Sequence, residues 1–303
     1  MNIIPQPKVN IVLDASKLDS FETCPAKFNM RHNLNKTLSV QFKSDALDKG
    51  SLAHGGLEVY YKELSKGTHY DDRMSAALMK IREMSSNVSE SNLDESEVSI
   101  LLAAIEQSCD FWRAEDENSL EVLAVEQPFA YELFSDDEIR IIISGKIDLL
   151  VNFRGLGGSA SYEGLPIDHK TYSRESMLLR KSNQFINYCN AVGSNYLIVN
   201  RIGLQKSKSA EEKFKRLPLS YDPLYIKAWK DNLIKMILNG YLSCVADNYW
   251  PEVPSSCNKF MRLCEYYQIC DSSGTLEDKL AKLNREYSDG EPWDVTKGLT
   301  SGD

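Results

Sequence analysis

The sequence predicts an α/β fold in which a mixed central β-sheet is flanked by helices. Helix patterns, in which apolar residues recur every three to four positions, fill the chain up to about residue 116. Strand patterns and further helices then alternate, so helices can cover both faces of one sheet. The predicted helices lie near residues 16–34, 47–66, 71–84, 95–116, 176–192 and 223–247, and the predicted strands near 121–133, 138–153, 164–171, 195–204 and 213–220.

Turn and capping residues support several of these boundaries. Asp222-Pro223 joins a side chain that caps helix N-termini to a residue suited to the first turn, and it starts the last long helix. The Gly- and Ser-rich run RGLGGSASYEG separates two strands, as a hairpin loop does. Residues 71–118 are predicted to form a helical insertion, which either has a plain structural role or narrows a functional cleft.

Length and composition predict one compact domain over residues 1–275. The chain has 303 residues, of which 42% are hydrophobic, so it can bury a sizeable core. Residues 276–303 are polar and Gly-rich, which predicts a flexible C-terminal tail. No apolar run is long enough for a membrane span, and no Gly-rich phosphate loop of the NTPase type occurs. The opening MNIIPQPKVN does not have the pattern of a signal peptide, which predicts a cytoplasmic protein.

A pair of carboxylates and a lysine are predicted to meet where two strands end. Because side chains alternate along a strand, Asp168 and Lys170 share one face while His169 points to the other. Asp148, in the preceding strand ISGKIDLLV, can pair across to Asp168. Two carboxylates suit Mg²⁺ or Mn²⁺, and the set could cut a phosphodiester. Taken alone, an Asp-x-Lys triplet is more often a solvated ion pair.

Six short motifs occur in order between about residues 14 and 270. They are Ser16-x-Leu-x-x-Phe-x-x-Cys24-Pro, Gly50-x-x-x-His54, Gly145-x-x-Asp148, Asp168-x-Lys170, Gln184-x-x-x-Tyr188 and a final cysteine cluster. Each is weak alone, but the ordered set resembles the RecB-like branch of the PD-(D/E)XK nuclease superfamily. Ile147 replaces the proline that names the superfamily, which this branch tolerates. The resemblance implies a restriction-endonuclease-like core.

The resemblance also implies a set of metal ligands. His54, Asp148 and Asp168 would bind Mg²⁺ or Mn²⁺, with the backbone carbonyl of His169 as a fourth ligand, and an imidazole ligand shifts preference toward Mn²⁺. On the residues alone, a helical histidine that is packed in a core or partly exposed is the favoured interpretation of His54. Glu126, on the strand before that of Asp148, is a secondary candidate, because a lone strand-edge Glu is more often solvated.

Three further residues receive catalytic roles from the same resemblance. Lys170 would orient or activate the attacking water, and Gln184 and Tyr188 would position a DNA phosphate or the lysine itself. Four residues apart on a helix, Gln184 and Tyr188 share one face. Without the family context they could be an ordinary surface pair.

Four of the seven cysteines form a second set of candidate ligands. Cys257, Cys264 and Cys270 cluster near the C-terminus, and Cys24 lies in the N-terminal Cys-Pro motif. In a reducing compartment clustered thiols more often bind metal than form disulfides. The family resemblance implies a 4Fe–4S cluster on these four residues, like that of iron–sulfur nucleases of the AddB type. Zinc is the chemical alternative, although the spacings between the C-terminal cysteines are wide for a zinc finger.

The resulting hypothesis is a metal-dependent deoxyribonuclease, acting as an exonuclease or as the nuclease subunit of a DNA end-processing or recombination complex. Its substrate would be DNA that is single-stranded or has free ends, and a helicase or recombination protein would be its partner. Two alternatives are a non-catalytic DNA- or protein-binding subunit that keeps the nuclease fold, and a zinc-stapled interaction module.

The charge distribution is less favourable to DNA binding than the motifs are. The net charge is −9, which limits non-specific affinity for DNA. Two local basic clusters are nevertheless predicted to line a groove that follows the phosphates. Their members are Arg174, Arg180, Lys181, Arg201, Lys206, Lys208, Lys213, Lys215 and Arg216.

Overall fold

The computed structural model describes residues 9–37, 45–86, 93–154, 161–173, 179–259 and 262–290. The chain divides into two compact units that interleave along the sequence, so the predicted single domain spans both. The first unit comprises residues 1–42, 130–145 and 223–303, and the second comprises 43–129 and 146–222. Among the described residues, no helix combines the length and apolarity needed to cross a bilayer.

Helices and strands follow the predicted order. The helices are α1 (Ala15–Thr23), α2 (Pro25–Phe28), α3 (Asp45–Ser65), α4 (Tyr70–Ser86), α5 (Glu95–Ser119), α6 (Asn183–Val192), α7 (Ala210–Lys213), α8 (Pro223–Met236), α9 (Leu242–Asp247), α10 (Tyr267–Cys270) and α11 (Leu276–Glu286). The strands are β1 (Val9–Leu13), β2 (Lys36–Thr37), β3 (Leu120–Ser135), β4 (Ile139–Phe153), β5 (Tyr162–Tyr172), β6 (Tyr196–Gly203), β7 (Phe214–Ser220), β8 (Asn258–Lys259), β9 (Arg262–Leu263) and β10 (Ser288–Asp289).

The central sheet is mixed and flanked by helices, which confirms the predicted fold class. Its strand order is β1-β4-β5-β6-β7, with β3 also beside β4. In the second unit β5 is antiparallel to β4 and parallel to β6, and β7 is antiparallel to β6. Helix α3 covers the face of β5 that bears His169, and α6 covers the face that bears Lys170. In the first unit β1 runs parallel to the start of β4.

Helices α3 and α4 of the second unit pack closely because two glycines of α3 leave room for α4. A Cβ atom at Gly56 would lie 2.6 Å from Cδ1 of Ile81, and one at Gly55 would clash with the sulfur of Met84. The predicted insertion forms the two helices α4 and α5. The glycines of α3 allow α4 to pack directly onto α3. The core beneath includes Leu57, Ile105, Leu149, Ile167 and Phe214.

The first unit has two apolar clusters. One is built around the aromatic rings of Phe21, Phe28, Tyr241 and Trp250, where Phe28 stacks on Trp250 at a centroid distance of 5.8 Å. The other joins N-terminal and C-terminal segments, and its buried members are Cys24, Ala26, Met30, Tyr266, Ile269, Leu283 and Tyr287.

The prediction of a flexible tail over 276–303 is wrong for residues 276–290. Thr275 and Asp278 form a capping box that starts α11, and Leu283 is only 1% exposed. Strand β10 then pairs with β2. Polarity misled the prediction, because a few apolar residues on one face are enough to dock a helix. Residues 291–303 lie outside the described ranges.

The predicted helix over 176–192 is shorter than expected. Helix α6 begins at Asn183, after a 3-10 turn at Leu179–Lys181. It ends at Gly193, whose φ of 69° is the left-handed conformation common after a helix. Residues 174–178 lie outside the described ranges.

Candidate active site

Strands β4 and β5 place two carboxylates and a lysine together. Leu149 pairs with Ile167, so Asp148 and Asp168 occupy neighbouring positions on adjacent strands. Asp168 is completely buried and Asp148 is 6% exposed. Lys170 lies two residues beyond Asp168 on the same face, and its Nζ donates a hydrogen bond of 2.9 Å to Asp168 Oδ1. Asp168 and Lys170 therefore pair because side chains alternate along the strand, as predicted.

A group of three side chains could hold a metal ion beside this pair. Ligand atoms of His54, Glu126 and Asp148 all lie within 4.8 Å of one another, the one such group in the described part of the chain. Nδ1 of His54 is 3.4 Å from Asp148 Oδ2 and 4.0 Å from Glu126 Oε1. Oδ2 of Asp168 is buried and has no hydrogen-bond partner. Asp168 is not itself a member of this group, but its unpaired oxygen lies on the strand position adjacent to Asp148, and together with the group it fits a hard divalent cation.

Glu126 was predicted only as a secondary candidate, yet it belongs to this group of possible ligands. Its backbone has a φ of 53°, a left-handed conformation that is unusual for a residue other than glycine. Its carboxylate forms an ion pair with Lys146 on β4. Residue type alone gives no signal for this left-handed backbone position.

Burial controls the charges at this site. Removal from water raises the pKa of Asp148 to about 7 and that of Asp168 to about 7, although Lys170 opposes both shifts. Burial, reinforced by Lys170, lowers the pKa of His54. A neutral imidazole is the form that binds metal. A cation would bind in competition with protons on the two carboxylates.

Helix α6 connects Lys170 to the rest of the site. Lys170 Nζ donates to Gln184 Oε1 at 3.1 Å, and Gln184 Nε2 donates to the Tyr188 hydroxyl at 2.8 Å. That hydroxyl donates to the backbone carbonyl of Lys146 at 2.6 Å. The structure thus brings Gln184 and Tyr188 to the lysine, which is held between two acceptors.

A cavity of about 660 Å³ is lined by His54, Glu126, Asp148 and Lys170 among others. Lys80 and Met84, one turn apart on α4, line it together with residues of α3, β3, β4 and β5. The insertion therefore contributes to the wall of the cavity. The prediction that His169 offers its backbone carbonyl to a metal stays a prediction.

Comparison with known proteins identifies the family. The family model for the PD-(D/E)XK nuclease superfamily matches residues 13–271. The chain belongs to this superfamily. The match includes the strands and helices that carry Asp148, Asp168, Lys170 and Gln184.

One solved structure shows the same fold at low sequence identity. A candidate exonuclease from Eubacterium rectale is 12% identical, with a TM-score of 0.50 over 96% of this chain and 94% of that one. The protein SSO0001 is 16% identical, with a TM-score of 0.33 over 67% of this chain and 82% of that one. A search of curated proteins found no match.

Two arginines of the predicted phosphate groove are buried, so the prediction is wrong for them. Arg216 is enclosed by Asp116 and Glu115, and the Arg201 guanidinium lies 4.0 Å from the ring centroid of Tyr172. Arg174 lies outside the described ranges. Within the cavity of this nuclease-superfamily member, positive charge comes from Lys80, Lys146 and Lys170.

We expect Asp168→Asn and Lys170→Ala each to lower the cleavage rate by roughly two orders of magnitude or more, because they remove a metal contact and a water contact. End-labelled DNA with Mn²⁺ or Mg²⁺ provides the assay, and thermal melting checks the fold. Lys227→Ala, which breaks an exposed Lys227–Asp231 pair, serves as the control and should be neutral. Wild-type cleavage by Lys170→Ala would contradict the assignment.

We also expect His54→Ala and Glu126→Gln to weaken Mn²⁺ binding and to remove most activity, because each loses a ligand atom. Calorimetric titration with Mn²⁺ measures the affinity. His69→Ala is the matched control, since His69 is exposed and lies outside the cavity. Unchanged Mn²⁺ affinity in His54→Ala would make His54 an ordinary packed histidine.

Proposed function

We propose that this chain is a divalent-metal-dependent deoxyribonuclease that hydrolyses phosphodiester bonds. The observation that carries the proposal is the buried, unpartnered Oδ2 of Asp168, which lies beside Lys170 and next to the group formed by His54, Glu126 and Asp148. A binding subunit derived from this fold has no need to keep a costly, incompletely satisfied carboxylate.

Each side chain has a definite task in this proposal. His54, Glu126, Asp148 and Asp168 would hold Mg²⁺ or Mn²⁺, with the His169 carbonyl as a further ligand. The bound metal lowers the pKa of water and stabilises charge on the phosphate. Lys170 orients the attacking water as the phosphorus–oxygen bond to the leaving group breaks.

Gln184 and Tyr188 act through Lys170. Gln184 Oε1 and Asp168 Oδ1 are both acceptors for the ammonium, so they fix its direction. The Tyr188 hydroxyl holds the Gln184 amide in turn. A lysine restrained in this way needs less reorganisation to contact the water or phosphate.

The proposed substrate is DNA with a free end or a single strand, and the proposed role is that of an exonuclease or a nuclease subunit in end processing or recombination. The net charge of −9 leaves little general affinity for DNA, so a helicase or recombination partner would deliver the strand. The exonuclease assignment of the similar Eubacterium rectale protein supports this choice. None of the seven cysteines, all of which the structure describes, forms a disulfide, which supports a cytoplasmic, reducing setting.

Lys80 lies on the cavity wall where it can contact a phosphate of the bound strand. We expect Lys80→Ala to raise the KM for DNA severalfold with little change in kcat, and to make the salt dependence of binding less steep, because one phosphate contact is lost. Steady-state kinetics at several salt concentrations would measure both. Lys62→Ala is the control, since Lys62 lies on α3, pairs with Glu58 and does not line the cavity. Equal KM changes in both variants would remove Lys80 from the binding surface.

We propose in addition that Cys24, Cys257, Cys264 and Cys270 hold a 4Fe–4S cluster. Cys24, Cys264 and Cys270 belong to one apolar cluster, and the Cys264 N–H donates to the Cys257 carbonyl at 2.7 Å. Burial raises the pKa of Cys270 to about 12, and the nearby Cys24 and Cys264 thiols add to the rise. These contacts support the assignment, because they bring residues from opposite ends of the sequence into one cluster.

The sequence spacing of the thiols favours the cluster over zinc, because the C-terminal cysteines are separated by six and five residues, more than is usual within a zinc-finger pair. An iron–sulfur cluster separates its cysteines more widely, because each binds a different iron. Its role would be structural.

We expect Cys264→Ala to lose iron and visible absorbance and to melt at a lower temperature. By the cross-link entropy model, the staple contributes up to about 5 kcal/mol. Anaerobic purification, metal analysis and melting would test this. Cys244→Ala is the matched control, because Cys244 is buried in the other apolar cluster of the first unit and should leave the iron content unchanged. Stoichiometric zinc in the wild type would favour a zinc site over the iron–sulfur cluster. A stable wild type that contains neither iron nor zinc would exclude both kinds of site.

A further inference from the structure

We propose that a buried network behind the active site, formed by Tyr61, Asp116, His169, Asn200 and Arg216, positions Asp148 for metal binding. Tyr61, Asp116, His169 and Asn200 are buried, and the Arg216 side chain is only 6% exposed. The inference concerns the metal site of the proposed nuclease, and it gives Tyr61 and Asn200 the status of positioning residues.

His169 links the network to the metal site. Its backbone N–H donates a hydrogen bond of 2.8 Å to Asp148 Oδ2, the same oxygen that lies 3.4 Å from His54 Nδ1. Its side chain points to the opposite face of the sheet from Asp168 and Lys170. The residues that restrain the imidazole of His169 therefore also fix its backbone N–H, which orients the Asp148 carboxylate.

Two neighbours hold the imidazole of His169. The ring of Tyr61 stacks on it with a centroid distance of 5.3 Å and an angle of 11°. Asn200, its direct partner on β6, places Nδ2 3.0 Å from His169 Nδ1. One contact restrains the plane of the ring and the other restrains its rotation within that plane.

The ring of Tyr61 is itself tethered. Its hydroxyl donates to Asp116 Oδ2 at 3.3 Å and accepts from Arg216 Nη2 at 3.2 Å. Arg216 also bonds Asp116 directly, donates to Glu115 at 2.6 Å and lies 4.6 Å from the ring centroid of Trp112. The network thus joins α3, α5 and β7 to β5.

A buried Arg–Asp pair gains little stability over well-packed apolar residues, because both charges lose their hydration. Such a pair fixes the directions of its hydrogen bonds, which apolar packing does not. Here the directed bonds end on the Tyr61 hydroxyl, and through its ring they reach the residue that orients a metal ligand. Positioning, in addition to stability, is therefore the role that this arrangement indicates.

Adjacent tyrosines on α3 allow a matched test. Tyr60 and Tyr61 are both buried, but the Tyr60 hydroxyl accepts from Arg73, whereas the Tyr61 ring stacks on His169. We expect Tyr61→Phe to raise the Kd for Mn²⁺ about tenfold, since loss of an orienting partner typically costs ten- to a hundredfold in metal affinity. Tyr60→Phe should leave the Kd for Mn²⁺ unchanged. Calorimetry gives the affinities, and thermal melting shows whether the two variants are equally destabilised.

Kinetics supply an independent reading. In Tyr61→Phe, activity should recover at saturating Mn²⁺, while the KM for DNA stays at the wild-type value. Asn200→Ala, which removes the other restraint on His169, should show the same pattern, and it replaces Tyr61→Phe if that variant fails to melt cooperatively. Equal Mn²⁺ affinities in wild type, Tyr61→Phe and Asn200→Ala would overturn the inference.

The inference and the proposed function can fail separately. If the wild type binds Mn²⁺ but cuts no DNA, the nuclease proposal fails while the affinity comparison still decides the role of Tyr61. If the wild type cuts DNA and Tyr60→Phe shifts the Kd for Mn²⁺ as much as Tyr61→Phe, the nuclease stands and the network is merely structural.

Discussion

The burial of carboxylates among apolar strand residues is the constraint on which the second unit depends. An ionised carboxylate away from water is costly unless donors or opposite charges surround it. The His169 N–H and the Lys170 ammonium compensate Asp148 and Asp168 only in part, because one oxygen of Asp168 has no partner. A cation would complete this compensation, so the burial that raises both pKa values would also favour the proposed metal binding.

Short-range rules were sufficient for much of the site. Alternation along β5 was enough to place Asp168 beside Lys170, and the helical repeat was enough to place Gln184 and Tyr188 on one face of α6. Glu126 required more, since its backbone is left-handed and its carboxylate meets His54, which is distant in the sequence. Residue type alone reveals neither property.

Long-range contacts explain the predictions that were wrong. Arg216 lies in a segment rich in basic residues, which is typical of an exposed surface. Its partners Glu115 and Asp116, however, lie about a hundred residues earlier in the sequence. Helix α11 has a polar sequence, yet Leu283 docks it into a cluster that includes Cys24 from the other end of the chain. Charge and polarity describe a local segment, whereas exposure depends on what the fold brings to it.

Helix α3 shows why the site needs the insertion. His54 and Tyr61 are seven residues apart, about two helical turns, so they project from one side of α3 toward the sheet. One is a candidate metal ligand, and the other stacks on His169. Between them Gly55 and Gly56 admit α4, which brings Lys80 and Met84 to the cavity. Helix α5 supplies the carboxylates that tether Tyr61. Helix α4 of the insertion therefore supports α3 on the side of the cavity, and α5 supports it on the side of Tyr61. The position of His54 depends on both helices.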